Sequence, residues 1–96
     1  TLSRFPLDGA DAALHPGLVA MLSDPANAPL VDTLETYLEL AGDARATAEA
    51  LTLHRATLYY RLNRIEEITG ARLKTGDDRL ALHLGLRLAR LSGLLV

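Results

Sequence analysis

The chain has 96 residues, no cysteine, 49% apolar residues and a formal net charge of −2. That length allows one domain with a modest core. Without cysteine there is no disulfide, thiol nucleophile or thiolate metal site, and a small unstapled domain suits a reducing, cytoplasmic setting. No apolar run approaches the roughly 20 residues that span a bilayer, and no basic, apolar leader opens the chain. A start at Thr1 rather than Met suggests a piece of a longer protein.

The apolar residues are mostly Leu and Ala, with one Phe, three Tyr and no Trp. Leu and Ala favour helices, whereas strands favour β-branched and aromatic residues. An all-α fold is expected, a small helical domain of four to five helices. Residues 1–44 hold one base against seven acids, net −6. Residues 45–74 hold six bases against three acids, net +3, and residues 75–96 add +1. The acidic front and basic middle give the surface a direction that the overall charge conceals.

Residues 1–30 contain all four prolines and read as a linker with short helical pieces leading in from an upstream domain. His15-Pro16 suits a helix start, with Leu18, Val19, Met21 and Leu22 as an apolar face. The main domain is assigned to 31–96. Asp32 or Thr33 is expected to cap its first helix, with Leu34, Leu38 and Ala41 at helical spacing and Gly42 closing it. Asp43 then caps a helix over 44–51, with Ala46, Ala50 and Leu51 inward. A longer helix is expected over 56–69, with Leu58, Leu62, Ile65 and Thr69 on one stripe and Gly70 as its stop. Asp77 or Asp78 caps the last helix, about 78–92. There the alternating Leu80, Leu82, Leu84, Leu86 and Leu88 mimic a strand. The absence of β-branched residues and the Arg79–His83–Arg87–Arg90 stripe decide for a helix that is apolar on two sides.

Function concentrates in 43–64, DARATAEALTLHRATLYYRLNR. A short Ala-rich helix, a four-residue break and a longer helix with a polar opening make the plan of a helix-turn-helix. With Leu58 facing the core, Ala56, Tyr60, Asn63 and Glu67 point away from it. Thr57, Arg64 and Tyr59 flank them, and Arg61 lies at the core edge. The candidate DNA-contacting residues are His54, Arg55, Thr57, Tyr59, Tyr60, Arg61, Asn63 and Arg64. Arg grips guanine in two-pronged fashion, Thr and Ala meet thymine methyls, Tyr reaches phosphate through its hydroxyl, and Arg61 and Arg64 suit phosphate. No catalytic set, phosphate loop or metal-ligand spacing is found, so neither enzyme activity nor a cofactor is expected.

Three stretches occur in the order of a known family: TLETYLELAGD (33–43), HRATLYYRLNRIEEITG (54–70) and DDRLALHLGL (77–86). From Val31 to Leu91 the chain resembles the C-terminal helix-turn-helix domain of PucR/CdaR-type bacterial transcription regulators. Its centre, with Gly42-Asp43, Ala48, Leu51, Arg55, Thr57-Leu58 and Leu62, also resembles the DNA-binding end of the nucleoid protein Fis. The resemblance implies sequence-specific binding to double-stranded DNA in the bacterial cytoplasm, at the nucleoid, with an effector sensed by upstream domains. The leucines of the last helix add the expectation of a homodimer. The alternative is a helical dimerisation or docking module with no DNA affinity of its own. One departure stands out: Thr52 occupies the turn where the Fis-like pattern has Gly. A β-branched residue is poor at positive φ, so this turn either takes another conformation or is strained.

Overall fold

The computed structural model describes residues 15–93. It is all-helical over those residues: α1 (Pro16–Leu22), a 3₁₀ turn (Pro25–Asn27), α2 (Ala28–Glu39), α3 (Ala44–Leu51), α4 (Arg55–Thr69) and α5 (Gly76–Leu91). Residues 1–14 of the expected lead-in, and residues 94–96, lie outside the described residues.

Pro16 opens α1 as the sequence implies, and His15 Nδ1 accepts from Gly17 N at 3.1 Å. Leu18 and Met21 are fully buried in the same core as Leu34, Leu58, Ile65, Leu82 and Leu86. This part of the lead-in is therefore built into the core. Gly17 makes it possible: a Cβ there would lie 1.9 Å from the carbonyl oxygen of Thr69, so only glycine lets α1 reach the end of α4.

The start of α2 differs from expectation. It begins at Ala28, and Asn27 caps it without a side-chain bond. Pro29 needs no N–H partner in the first turn, so the helix extends one turn earlier than Asp32 and Thr33 suggested. Thr33 is instead fully buried inside the helix and donates to Pro29 O at 2.8 Å. Gly42 (φ 79°) takes a left-handed conformation behind the helix, together with Ala41 (φ 58°).

Asp43 caps α3 as read, its Oδ1 accepting from Ala46 N at 3.1 Å. The inward face is a correction. Thr47 is buried, with Ala44 and Ala48 packed on the core, whereas Ala50 is exposed. Thr47 tolerates burial because its hydroxyl donates to Asp43 O at 2.7 Å.

The α3–α4 turn is strained. Thr52 sits at φ 55°, ψ 48°, Thr52 N donates to Glu49 O, and Leu53 N donates to Ala48 O at 2.9 Å. This is the paired closure that glycine normally occupies. Leu53, next in the chain, packs against the core.

On α4, Leu58, Leu62, Ile65 and Thr69 are all buried, as the spacing predicts, and Gly70 (φ 73°) ends it. The last helix starts at Gly76, earlier than expected. Neither Asp77 nor Asp78 is its N-cap; Thr75 takes that place without a side-chain bond. Asp78 instead turns back to accept from Arg72 N at 2.7 Å. Leu82, Gly85, Leu86 and Ala89 face inward, while Leu80, Leu84 and Leu91 are 69%, 52% and 85% exposed. The polar stripe is only partly wet: Arg79 and His83 are half-buried, and Arg90 forms a two-pronged ion pair with Glu35 of α2. The hydrogen bonds from Arg90 lower the Glu35 pKa from its ordinary value, with Arg87 and His83 adding to the field and partial burial opposing it.

Two outcomes follow. Thr52→Gly relieves left-handed strain of about 1–2 kcal/mol, offset by about 0.5–1 kcal/mol of glycine's extra chain entropy. Its thermal midpoint should rise by a few degrees, read by circular dichroism. Because the Glu35 pKa is lowered on folding, the Glu35–Arg90 pair stabilises the fold in full above the ordinary carboxylate range. That contribution is lost as pH falls through the lowered value. The urea midpoint of Glu35→Gln should fall below the parent's at neutral pH, and the gap should close on acidification.

Candidate nucleic-acid interface

Helices α3 and α4, joined by the strained turn, present one continuous surface. Between α3 and the first turn of α4 lies an open cleft of about 680 Å³, with Arg45, His54, Arg55 and Tyr59 on its walls. His54 is the cap of α4: its Nδ1 accepts from Ala56 N at 3.1 Å. An imidazole accepting at Nδ1 carries its proton on Nε2, which leaves that N–H free to donate outward.

Arg55 and Thr57 are exposed on the first turn, with Asn63 further along the helix. Tyr60 is 67% and Tyr59 48% exposed, so neither ring is part of the core. The burial of Leu58, Leu62 and Ile65 fixes this orientation, since it turns Tyr59, Tyr60, Asn63 and Arg64 to the exposed side of the helix. Arg64 is exposed and paired with Glu67 at 3.1 Å across one turn, an arrangement that holds its guanidinium along the helix surface.

Arg61 stands apart. It is half-buried, and its Nη1 donates to Thr33 Oγ1 at 3.1 Å. Thr33 Oγ1 thus donates to Pro29 O and accepts from Arg61 at once. This residue ties α4 to α2, across 28 positions of sequence. Seven of the eight candidate residues share the exposed surface, and the eighth braces it from its edge. Arg45 was not singled out from sequence; it lines the cleft with Arg55, and its place just behind the Asp43 cap was the available signal. Among the described residues, no group of His, Asp and Glu is arranged to hold a metal ion, and no helix is long and apolar enough to cross a membrane.

The family described as the PucR C-terminal helix-turn-helix domain matches residues 30–88. The chain belongs to this family. Among its relatives, the carbohydrate diacid regulator of Escherichia coli K12 is 47% identical over 62 residues, covering 65% of this chain and 16% of that protein. The purine catabolism regulatory protein of Bacillus subtilis is 42% identical over 62 residues, covering 65% and 12%. The transcriptional activator PmfR of Paenarthrobacter nicotinovorans is 43% identical over 67 residues, covering 68% and 14%. The chain thus spans a small fraction of the length of the relatives it matches. No solved structure matches it. As a PucR-type helix-turn-helix domain, the chain is a DNA-binding module of transcription regulators. The match begins at residue 30, so α1 lies ahead of it while supplying Leu18 and Met21 to the core.

The brace yields a prediction that separates Arg61 from its neighbours. Arg61→Ala should lower stability by about 1 kcal/mol, because a hydrogen bond from a charged donor is lost next to a buried hydroxyl. Arg64→Ala, which removes only an exposed pair, should leave the urea midpoint nearly unchanged.

Proposed function

We propose that α4 enters the major groove of double-stranded DNA and reads sequence there, with α3 crossing the backbone. The observation that carries this reading is the outer face of α4: Arg55, Thr57, Tyr60 and Asn63 are all exposed on one rigid helix whose opposite stripe is buried. The groove admits one helix, and these side-chain types match base edges and phosphates. In this reading Arg55 and Thr57 meet bases, and Tyr59, Tyr60, Asn63, Arg64 and the free Nε2–H of His54 hold phosphates. Arg61 contributes by fixing the angle of the helix. The mechanism is binding alone, so the chain has no catalytic residue and needs no cofactor. Its setting is the bacterial cytoplasm, and regions of the intact regulator outside this chain sense the effector.

A homodimer belongs to the same proposal. Leu80, Leu84 and Leu91 form an exposed stripe on α5, opposite the buried Leu82, Leu86 and Ala89. Exposed apolar stripes of this kind mark interfaces. A two-fold pair would set two recognition helices about 34 Å apart and demand a roughly palindromic operator. The competing reading, a docking module without DNA affinity, draws on that stripe and on the acidic front of the chain, and leaves the polar face of α4 unused.

Role assignments are separable by measurement. Arg55→Ala should weaken a specific site by about 1–3 kcal/mol and barely change binding to unrelated duplex. Arg64→Ala should weaken both alike and flatten the salt dependence by about one unit. Identical behaviour of the two variants across sequences contradicts the assignment. No salt-dependent affinity for any duplex favours the docking module.

A further inference from the structure

The segment between α4 and α5, residues 70–75, has no helical structure of its own, yet it is held at three backbone points. Leu73 N donates to Glu66 Oε2 at 2.8 Å, Arg72 N donates to Asp78 Oδ2 at 2.7 Å, and Leu73 O accepts from Arg79 Nη1 at 3.0 Å. Ala71 N donates to Thr69 Oγ1 at 3.2 Å as a fourth restraint, and a turn bond from Thr75 N to Arg72 O adds a fifth. Within it the side chains alternate: Ala71 and Leu73 are buried at 3% and 2%, and Arg72 and Lys74 are exposed. Residues 73–75 form a turn, and a loop pinned this way on its inner side holds its outward side chains in a fixed direction.

That direction is toward the outer face of α4. Arg72 and Lys74 line one open hollow with Asn63 and Glu67, and Lys74 lines a second with Asn63 and Tyr59. Of the carboxylates that border the segment, Glu66 and Asp78 accept from its backbone, and Glu67 pairs with Arg64. Neither Arg72 nor Lys74 forms a salt bridge among the described residues. Two cations without a carboxylate partner therefore stand on a rigid loop, about level with the middle of the recognition helix.

We infer that the 70–75 loop is a second DNA-contacting element, a preorganised clamp in which Arg72 and Lys74 grip the phosphate backbone beside the groove that α4 occupies. This rests on the reading of α4 as the recognition helix. Phosphate is the ligand these residues suit: two cations at the flank of a groove-reading helix contact the backbone and carry no base information. Their preset positions reduce the ordering cost of binding. Glu66, though acidic, promotes binding by holding Leu73 N, so it is a positioning residue.

The test uses the whole 96-residue chain, a duplex it selects from a random library, and poly(dI-dC) as unrelated duplex. Arg72→Gln and Lys74→Gln should each lower affinity for both duplexes by the same factor, on the order of five- to tenfold at about 0.1 M salt. Each should also reduce the slope of log K against log salt by about 0.9, with the far-UV spectrum and thermal midpoint unchanged. Glu66→Ala should weaken binding although it removes a negative charge, and tightening would overturn the positioning role. If the parent binds and both Gln variants keep its salt slope, the clamp is refuted and the reading of α4 stands. If the parent binds neither duplex, both fall together.

Discussion

The burial of a single stripe on α4 is the constraint on which the rest depends. Leu58, Leu62, Ile65 and Thr69 repeat at intervals of four, three and four, and all are buried. These four are the fully buried positions of a 15-residue helix, Arg61, Glu66 and Ile68 are partly covered, and the rest of its circumference is exposed. The same four side chains set which residues face outward, so a shift by one residue would bury Tyr59 and expose Leu58. Core packing and presentation of the binding face are thus one geometric fact.

Holding such a helix still is a separate problem, because its exposed face contributes nothing to packing. The structure secures it at both ends and at one edge. His54 caps the first turn, Gly17 lets α1 lie against the backbone of Thr69, and Arg61 bonds to the buried hydroxyl of Thr33. The left-handed Thr52 fixes the angle between α3 and α4 at the expense of local strain. Strain of this kind persists only where the surroundings over-determine the conformation, and here Leu53 anchors the residue that follows. The Glu35–Arg90 pair performs a similar service for α5 against α2.

Much of this arrangement is legible in the sequence, and the parts that are not share a cause. Pro16, Asp43 and Gly70 act through the chain immediately beside them, and the structure uses each as the local rules expect. The stripe on α4 is legible because its period admits one face. The start of α2 is not, since the tolerance of Pro29 in a first turn outweighs two good capping residues that follow. Asp78 reads as a cap but spends its carboxylate on Arg72 N, a bond that depends on the path of the loop. Thr47 reads as polar and outward, yet its hydroxyl is satisfied within its own helix, which frees it for burial in place of Ala50. The surface of the candidate site was legible residue by residue, because outward positions on a helix follow from inward ones. The role of Arg61 was not, because its partner lies 28 residues away.

In the proposed function, DNA binds on the outer face of α4. Amide chemical-shift mapping of the 96-residue chain during titration with duplex DNA tests it residue by residue. The largest perturbations are expected at residues 54–64 of α4 and its cap, with little change at Leu80, Leu84 and Leu91 of α5. Perturbations concentrated on α5, with α4 unmoved at saturating duplex, would contradict it.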